Sequence, residues 1–347
     1  MKNGKTKVAV IGCGSISQHR HLPEYAARPD VELVAVVDTN KARAEAVAKQ
    51  FNVPHALSDV KDALKLTQLD AVSVCTPTAS HAPHSIAFLK KGAHVLCEKP
   101  MCASIAEAKT MIAAAKSAGR QLMIGHNQRL HTAHVRAKEF FKSGALGRCI
   151  GFSTTFAHTG PETWSADKLN CHFFKKSEAV WGAMADLGVH KIDLVRWFLE
   201  ENVELAAAML GTLAKKNCNV DDTAFAVLKT KSGILGQLFA GWAHNPGCDN
   251  STTFYCEKGI LRMEDDPTFN VIVDFANGER QLFQTQAIQT NDDGGQTTSG
   301  VIDAFVNAIR SGKPVPIPAT DVINSLSTVI ACVESGESGK FATVKAY

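Results

Sequence analysis

The first third of the chain alternates short apolar runs with longer stretches of helical character. The apolar runs are rich in β-branched residues, which is typical of strands buried on both faces. We predict strands at residues 7–11, 31–37, 70–75, 95–97 and 121–124. The clearest helical stretches between them fall at residues 41–50, 80–91 and 104–118. Alternation of this kind predicts an α/β fold built on a parallel, doubly wound sheet.

Residue types at the helix ends support two of these boundaries. Ser80 and Ser104 stand where the second and third helices begin, and serine is a favourable N-cap. Gly92 and Gly119 stand where these helices end, at positions that often require a left-handed backbone. We therefore expect side-chain caps at both serines.

The pattern changes after residue 125. A helix at 132–142 and an extended segment at 148–157 precede a helix over 186–199. Five extended runs then follow without helices between them, at residues 205–210, 223–228, 234–242, 252–256 and 259–263. This order predicts a large, mostly antiparallel sheet, with a turn or loop at 291–295 and closing helices at 301–309 and 322–333. We expect an α/β domain over residues 1–125 and an α+β domain over residues 126–347.

Composition narrows the class of protein. A length of 347 residues suits two domains, and the formal net charge is only +3. Lysine and arginine form no stripe interleaved with aromatic residues, so we expect no nucleic-acid partner. No run approaches the ~18 apolar residues of a membrane span, and the apolar run after the basic start is too short for a signal peptide. The ten cysteines follow no disulfide framework, which predicts reduced thiols and a cytoplasmic location.

A glycine-rich turn follows the first predicted strand. Gly12 permits a tight turn, and Gly14 lets the backbone approach a pyrophosphate held at a helix N-terminus that begins with Ser15 and Ile16. The second strand closes with Asp38, roughly 20 residues on, where a carboxylate accepts from a ribose hydroxyl. Ser17 replaces the usual third glycine. The segment matches a dinucleotide-binding fingerprint, and the alternative is an ordinary glycine-containing βα turn.

Two further strand ends carry polar residues. Thr76 and Pro77 follow the third strand, with His81 shortly after them, and Glu98-Lys99-Pro100 follows the fourth. Ligands of an open parallel sheet bind beyond the carboxyl ends of its strands, which is where Lys99 stands. The alternatives are ordinary turn chemistry at Thr76-Pro77 and a solvated strand end at Lys99.

An acid and an imidazole lie four residues apart in the second half. Asp186 and His190 share one face of the predicted helix, because positions i and i+4 are neighbours. A carboxylate beside an imidazole fixes its tautomer and stabilises its protonated form, as a general acid or base requires. Taken alone, the pair is also compatible with a solvated helix face.

Together these segments resemble the Gfo/Idh/MocA oxidoreductase family, named for glucose–fructose oxidoreductase and inositol dehydrogenase. The resemblance covers nearly the whole chain. The residues that carry it are Gly12, Gly14, Asp38, Thr76-Pro77 with His81, Glu98-Lys99-Pro100, Gly125-His126-Asn127-Gln128-Arg129, and Asp186-x-x-x-His190 with Asp193. It implies NAD as cofactor and a dehydrogenase of a sugar, inositol or related polyol.

The resemblance also implies roles for the catalytic set Lys99, Asp186 and His190. His190 would be the general base, Asp186 would orient and stabilise the imidazolium, and Lys99 would stabilise the developing alkoxide. The alternative is that Lys99 is the base and His190 only binds substrate. The expected cofactor contacts are Gly12, Gly14, Ser15, Ile16, Asp38, Thr76, Pro77, His81, Glu98 and Lys99.

Substrate contacts are expected near the domain junction and before the catalytic helix. They are Lys99, His126, Asn127, Arg129, His158, Trp164, Asp186 and His190, with the Trp164 ring available for stacking against a sugar. Core or loop packing is the alternative for His158 and Trp164. No metal is expected, because neither Cys171-His172 nor His131-x-x-His134 has further ligands at zinc-site spacing.

The residues around Asp38 bear on the choice of cofactor. Asp38 should favour NAD over NADP, because Thr39 and Asn40 add no cation to offset its repulsion of a 2′-phosphate.

The second sheet bears on assembly. The resemblance implies subunit contacts through the outer face of this sheet, and the apolar run 234–242 suits a homodimer or homotetramer. A half-buried strand of a monomer is the alternative.

Three functions stay open. The first is the dehydrogenase, and the second is a glycosidase that retains NAD and acts by transient oxidation. The third is a dinucleotide-binding regulator without catalysis, which the presence of Lys99, Asp186 and His190 disfavours.

Overall fold

The computed structural model describes residues 4–285 and 298–347. The turn expected at 291–295 lies outside the described residues. Two sheets dominate the described part, one of six strands and one of nine. The predicted combination of a parallel doubly wound sheet and a mostly antiparallel sheet is therefore confirmed.

All six strands of the first sheet run parallel. They are β1 (Thr6–Ile11), β2 (Val31–Val37), β3 (His55–Leu57), β4 (Ala71–Val74), β5 (His94–Cys97) and β6 (Leu122–Ile124). Their spatial order is β3-β2-β1-β4-β5-β6, so the order reverses between β1 and β4. Such a reversal opens a crevice at the carboxyl ends of the two strands, where doubly wound sheets bind ligands.

Five helices connect these strands. They are α1 (Leu22–Ala26), α2 (Lys41–Gln50), α3 (Val60–Ala63), α4 (His81–Lys90) and α5 (Ile105–Ala118). The cap at Ser104 is confirmed, because its hydroxyl accepts from the Glu107 amide. The cap at Ser80 is wrong, because Ser80 ends a 3₁₀ turn and already has helical backbone angles.

The second sheet is mixed. Its strands are β7 (Cys149–Ala157), β8 (Val203–Gly211), β9 (Thr223–Thr230), β10 (Leu235–Gly241), β11 (Thr252–Cys256), β12 (Gly259–Met263), β13 (Val271–Phe275), β14 (Arg280–Phe283) and β15 (Ala342–Thr343). Only β7 and β10 pair in parallel within this described sheet. The sequence pattern did not indicate β3, β13, β14 or β15.

The other α-helices follow the sixth strand along the chain. They are α6 (Thr132–Lys142), α7 (Lys176–Ala179), α8 (Val189–Leu199), α9 (Val301–Ser311) and α10 (Ala319–Ser338). Two π-helical turns, Ser17–His21 and Met184–Gly188, precede α1 and α8. Over the residues that the structure describes, no helix is both long enough and apolar enough to cross a membrane.

Two hydrophobic cores lie under the two sheets, and the C-terminal helices contribute to both. Buried apolar residues of α9, including Phe305, pack with the strands of the first sheet. The helix α10 joins that core through Val322 and Leu326 and the second core through Val329 and Cys332. The division into residues 1–125 and 126–347 stays a prediction. In the structure, α9 and part of α10 pack in the core of the first sheet although they lie in the second of these ranges.

Candidate active site

The glycine-rich turn after β1 has the shape that a nucleotide cradle needs. Gly12 has φ +96°, and a Cβ there would lie 2.5 Å from the carbonyl oxygen of Cys75, so only glycine fits this approach of β1 to β4. A Cβ on Gly14 would meet open space, and Gly14 lines a cavity. The backbone is thus accessible where a pyrophosphate would approach, and the residues present fit a dinucleotide.

The cavity has a volume of about 340 Å³ and opens at the reversal point of the first sheet. Most of the predicted site residues line it. They are Gly14, Ser15, Ile16, Thr76, His81, Glu98, Lys99, Asn127, His158, Trp164, Asp186 and His190. The fold therefore brings the glycine turn, the β5 end and the start of α8 to one place. Gly12, Asp38 and Pro77 flank the cavity and are not part of its wall.

The carboxylate of Asp38 is held by neighbouring backbone and by a cation. It accepts hydrogen bonds from the Cys13 amide at 2.9 Å and the Asn40 amide at 2.8 Å. Arg43, on the first turn of α2, places its Nε 3.3 Å from Asp38 Oδ2. The cation that is missing at Thr39 and Asn40 is therefore supplied by Arg43.

A segment of the second half reaches back over the glycine turn. We call residues 161–170 the covering segment. The carbonyl of Trp164 accepts from the Ser15 hydroxyl at 2.8 Å. The carboxylate of Asp167 pairs with Arg43 Nη1 at 2.9 Å. The covering segment thus joins the two halves of the chain at the edge of the cavity.

Two buried residues hold the loops after β4 and β5. The ring nitrogens of His81 contact the carbonyl oxygens of Thr76 and Pro100, both at 2.8 Å. Glu98 Oε1 lies 2.9 Å from His21 Nε2. Burial would raise the pKa of Glu98, but the hydrogen bond and the charge of His21 dominate and lower it to about 2. Glu98 therefore keeps a negative charge beneath the cavity.

The loop after β5 brings Lys99 to Asp186. Lys99 Nζ donates to Asp186 Oδ1 at 2.6 Å and to the Asp186 carbonyl at 3.0 Å, while Trp242 Nε1 donates to Asp186 Oδ2 at 3.1 Å. Burial would raise the pKa of Asp186, but the charge and hydrogen bond of Lys99 hold it below its usual value. A buried ion pair of this kind fixes an ammonium at the cavity wall.

His190 faces the same cavity from the first turn of α8. Its ring lies edge-on to His126 at 5.7 Å between centroids and is tilted at 5.7 Å against Phe156. Burial and the nearby Lys99 charge lower its pKa well below the usual value. Among the described residues, His190 Nδ1 has no hydrogen-bond partner. The imidazole is therefore neutral at neutral pH and has a lone pair to accept a proton.

The contact expected between Asp186 and His190 is replaced by another arrangement. Both residues line the cavity, but the two carboxylate oxygens of Asp186 receive Lys99 and Trp242. Asp186 lies in the π-helical turn Met184–Gly188, which changes the angular offset assumed for an α-helix. Asp186 is thus placed to orient Lys99 rather than the imidazole.

His126 and Arg129 were expected to contact the substrate, and the structure places both outside the wall of the cavity. Arg129 is buried and forms two hydrogen bonds of 2.6 Å to Asp193, with a further ion pair of 2.6 Å to Asp321. His126 lies behind His190, and burial lowers its pKa to about 4. Neither side chain belongs to the cavity wall, so both support the site from behind.

Sequence reasoning missed other residues of the wall, including Arg20, Gln128, Phe156 and His172. Arg20 belongs to the π-helical turn that directly follows the glycine-rich loop, so its distance from Gly14 was the available signal. Burial lowers the pKa of His172 to about 4, so this imidazole is neutral. No pattern in the sequence indicated that His172 reaches the cavity.

Comparisons with known proteins agree with this geometry. Residues 6–126 match the model described as "Oxidoreductase family, NAD-binding Rossmann fold", and residues 134–262 match "GFO/IDH/MocA C-terminal domain". The chain is 24% identical to a D-glucoside 3-dehydrogenase of Escherichia coli, with 98% of this chain and 97% of that protein covered. It is 26% identical to a D-xylose 1-dehydrogenase (NADP(+)) of Haloferax volcanii, with 95% and 97% covered.

A solved structure shows the same fold. Levoglucosan dehydrogenase in complex with NADH and levoglucosan superposes with a TM-score of 0.87 at 24% identity. The superposition covers 99% of this chain and 100% of that one.

Proposed function

The chain belongs to the Gfo/Idh/MocA family of oxidoreductases, and we propose that it transfers a hydride between NAD and a hydroxyl-bearing carbon of a sugar, inositol or related polyol. One observation carries the proposal: the Lys99–Asp186 ion pair and the neutral His190 share a cavity with the glycine turn at the reversal point of the sheet. The relatives that are named dehydrogenases of D-glucoside and D-xylose support the substrate class.

The catalytic roles that we propose differ between the three residues. When bound, NAD supplies the hydride acceptor. His190 accepts the proton of the substrate hydroxyl, which its neutral ring allows. The Lys99 ammonium stabilises negative charge that develops on the same oxygen. Asp186 positions Lys99 through its 2.6 Å hydrogen bond.

The remaining cavity residues divide between the two ligands. We propose that Gly14, Ser15 and Ile16 face the pyrophosphate, and that Asp38 contacts the adenosine ribose from beside the cavity. Asn127, His158 and Trp164 would contact the substrate, because they line the cavity from the second half of the chain.

We propose NAD as the preferred cofactor. The carboxylate of Asp38 stands at the ribose position and repels a 2′-phosphate. Arg43 reduces this repulsion, because its Nε lies 3.3 Å from the carboxylate. The preference therefore depends on the balance of the two side chains, and a relative named for NADP(+) shows that the choice varies among similar proteins.

One observation favours the second candidate, a glycosidase that retains NAD. The covering segment contacts the glycine turn through Ser15 and the start of α2 through Arg43. Contacts of this kind slow the exchange of a bound dinucleotide. A retained cofactor would be oxidised and reduced within one catalytic cycle, without net NADH formation.

We also propose that the chain forms a homodimer or homotetramer and works in the cytoplasm. Apolar side chains project from the outer face of the second sheet, including Met209, Phe225, Val227 and Leu235. None of the ten cysteines, all of which lie within the described residues, forms a disulfide bond, as suits a reducing compartment.

The test is a substrate panel. The purified enzyme is mixed with NAD and with inositols, aldoses, alditols or glycosides, and NADH formation is followed. Net reduction with a free sugar or polyol supports the dehydrogenase. Cleavage of a glycoside with a stoichiometric bound cofactor and no free NADH supports the second candidate. No turnover with any member would contradict both.

A further inference from the structure

A cluster of two histidines and a glutamate lies outside the cavity wall. The ligand atoms of His131, His134 and Glu264 all lie within 4.8 Å of one another. His131 directly precedes α6 and His134 lies in its first turn, so the two rings share a face. Glu264 follows β12, 130 positions after His134. No further ligand stands at zinc-site spacing from His131-x-x-His134 in the sequence, because only the fold brings Glu264 to these histidines.

His134 presents a lone pair to the cluster. Its side chain is fully buried, and its Nδ1 lies 2.8 Å from the carbonyl oxygen of Gln128. A carbonyl oxygen only accepts, so Nδ1 carries the proton and Nε2 is unprotonated. Among the described residues, Nε2 has no hydrogen-bond partner. An imidazole whose second nitrogen donates to a carbonyl is the usual form of a metal-binding histidine.

Glu264 presents an oxygen to the same space. Its backbone has φ 58°, a left-handed conformation that is uncommon for a glutamate. Oε2 accepts from Asn270 Nδ2 at 3.4 Å, and Oε1 lies 3.8 Å from His131 Nδ1. Oε1 is buried, and within the described part of the chain it accepts no hydrogen bond. A buried carboxylate oxygen without a donor is costly, unless a cation or water fills the space.

The nearest buried cation is directed elsewhere. Lys191 Nζ donates to the carbonyl of Asn250 at 2.6 Å and to the Thr252 hydroxyl at 3.1 Å. It acts on Glu264 and His134 only through longer-range electrostatics. The charge of Lys191 opposes the binding of a second cation. Its ammonium donates no hydrogen bond to His134 Nε2 or Glu264 Oε1 among the described residues.

We propose that His131, His134 and Glu264 bind a divalent transition-metal ion of the zinc class, with water completing the coordination. Two imidazoles and one carboxylate suit such borderline ions better than calcium or magnesium, which prefer oxygen ligands. Ligand atoms of a tetrahedral zinc site lie about 3.4 Å apart, given Zn–N bonds of about 2.1 Å. The ligand atoms, which lie within 4.8 Å of one another, therefore need to approach by at most about 1.4 Å.

The bound ion has a structural role that is separate from hydride transfer. Through its three ligands, the ion would link the start of α6 to the end of β12. The His134–Gln128 hydrogen bond connects the same ligand to the turn Asn127–Leu130, where Asn127 and Gln128 line the cavity. Zinc binding at this site goes beyond the proposed function and does not depend on the substrate class.

Metal binding is tested on the whole purified chain with ZnCl₂ alone. After treatment with EDTA and removal of the chelator, the wild type should take up one zinc per chain, measured by mass spectrometry of the metal. Zinc should raise its Tm by about 2 °C or more at saturation, because a ligand that binds only the folded state stabilises it. CoCl₂ should give the visible bands of a site with nitrogen ligands.

Two variants and two matched controls make the test specific. Glu264→Gln keeps the shape of the side chain, and His131→Gln replaces the imidazole with a polar side chain of similar length. Both should weaken zinc binding at least ten-fold, with loss of the Tm response. Glu257→Gln, whose carboxylate pairs with Arg148, and the exposed His55→Gln should bind like wild type. His134 is left intact because its burial makes misfolding a competing explanation.

Two results would overturn the proposal. If the wild type binds no zinc and shows no Tm response, the space between these side chains holds water. If Glu264→Gln and His131→Gln bind zinc as tightly as the controls do, the ion lies elsewhere. Dehydrogenase activity enters neither result, so failure here is distinguishable from failure of the proposed function.

Discussion

At the scale of single residues, Asp186 lies in the site as predicted, but its partner is Lys99 and not His190. The carboxylate binds Lys99 at 2.6 Å, so the two form one charged unit. A buried ion pair that loses one member leaves an uncompensated charge, which is strongly destabilising. The neutral His190 stands apart from this unit. Lys99 and Asp186 should therefore behave as a pair, and His190 is coupled to them through the Lys99 charge, which lowers its pKa.

Variants of these residues separate the roles. His190→Ala should lower kcat by about 10²–10⁴-fold, the usual effect of losing a general base. NAD binding should change little, because His190 lies in α8, away from the glycine turn. Lys99→Ala should also lower kcat, and Asp186→Asn should add little to it, because residues that act as a unit are not additive. Near-wild-type kcat in His190→Ala would transfer the role of base to Lys99.

The pH dependence has a definite sign. His190 is active as a base when neutral, and its pKa is lowered by burial and Lys99. Activity should therefore fall only as the pH drops below the ordinary histidine range of about 6.5. The acid limb of the kcat/KM profile should disappear in His190→Ala. A limb that persists unchanged in this variant would belong to another group.

Cofactor choice depends on Asp38 and Arg43 together. Asp38→Ser should narrow the preference for NAD over NADP, because it removes the repulsion and releases Arg43 to meet a 2′-phosphate. The gain with NADP should be lost in the double variant Asp38→Ser/Arg43→Ala. Values of kcat/KM for both cofactors measure this. Equal kcat/KM values for NAD and NADP in the wild type would contradict the predicted preference for NAD.

Residue types were easier to predict than contacts. Gly12 and Lys99 could be identified because their positions after strand ends follow from the chain alone, and His190 because it lies four residues after Asp186 in a predicted helix. The partner of Asp186 could not, because it depends on a π-helical turn that the local pattern does not distinguish from an α-helix. His126 and Arg129 also follow a strand end, but their side chains turn inward to Asp193.

At the scale of elements, some helices and strands were predicted with their bounds and others were missed. The helices α2 and α6 and the strands β11 and β12 have the predicted bounds. In contrast, β3 and β15 have three and two residues and lack the uninterrupted apolar run that indicated the equally short β6. Their pairing comes from neighbouring strands, which supply the hydrogen bonds that the local sequence does not indicate.

The covering segment is the element that should govern cofactor exchange. Asp167→Asn removes the ion pair with Arg43, which is partly exposed and worth at most about 1 kcal/mol. NADH release, followed by stopped-flow fluorescence, should become up to about five-fold faster. Glu178→Gln is the control, because its carboxylate pairs with Lys175 on the surface. An unchanged release rate in Asp167→Asn would show that the segment does not hold the cofactor.

At the scale of the whole molecule, two sheets share their last helices. The hydrophobic periodicity of α9 indicated a helix, but nothing in a linear pattern shows which sheet a helix covers. The chain returns to the first sheet through α9 and then spans both cores with α10. The two halves are thus joined by packing as well as by the covering segment. The cavity between them is held at both edges.

The outer face of the second sheet gives the prediction for assembly. Phe225 and Val227 are 56% and 55% exposed on β9, Met209 is 83% exposed on the neighbouring β8, and Phe225 stacks on Phe239. The opposite sides of the same strands are buried, and the outer face presents these apolar side chains beside the exposed Lys229 and Gln237. Monomers rarely leave a contiguous apolar patch of this kind in water, and stable dimers bury about 1,600 Å² in total.

Light scattering coupled to size-exclusion chromatography measures the assembly. The wild type at micromolar concentration should have at least twice the protomer mass of 37.2 kDa. Phe225→Glu combined with Val227→Lys should shift the mass toward one protomer, because both charges would be desolvated at the interface. Phe341→Glu is the control, since Phe341 is 70% exposed next to the short edge strand β15. A wild type that elutes as a monomer would refute the assembly, and a double variant that keeps the full mass would place the interface on another surface.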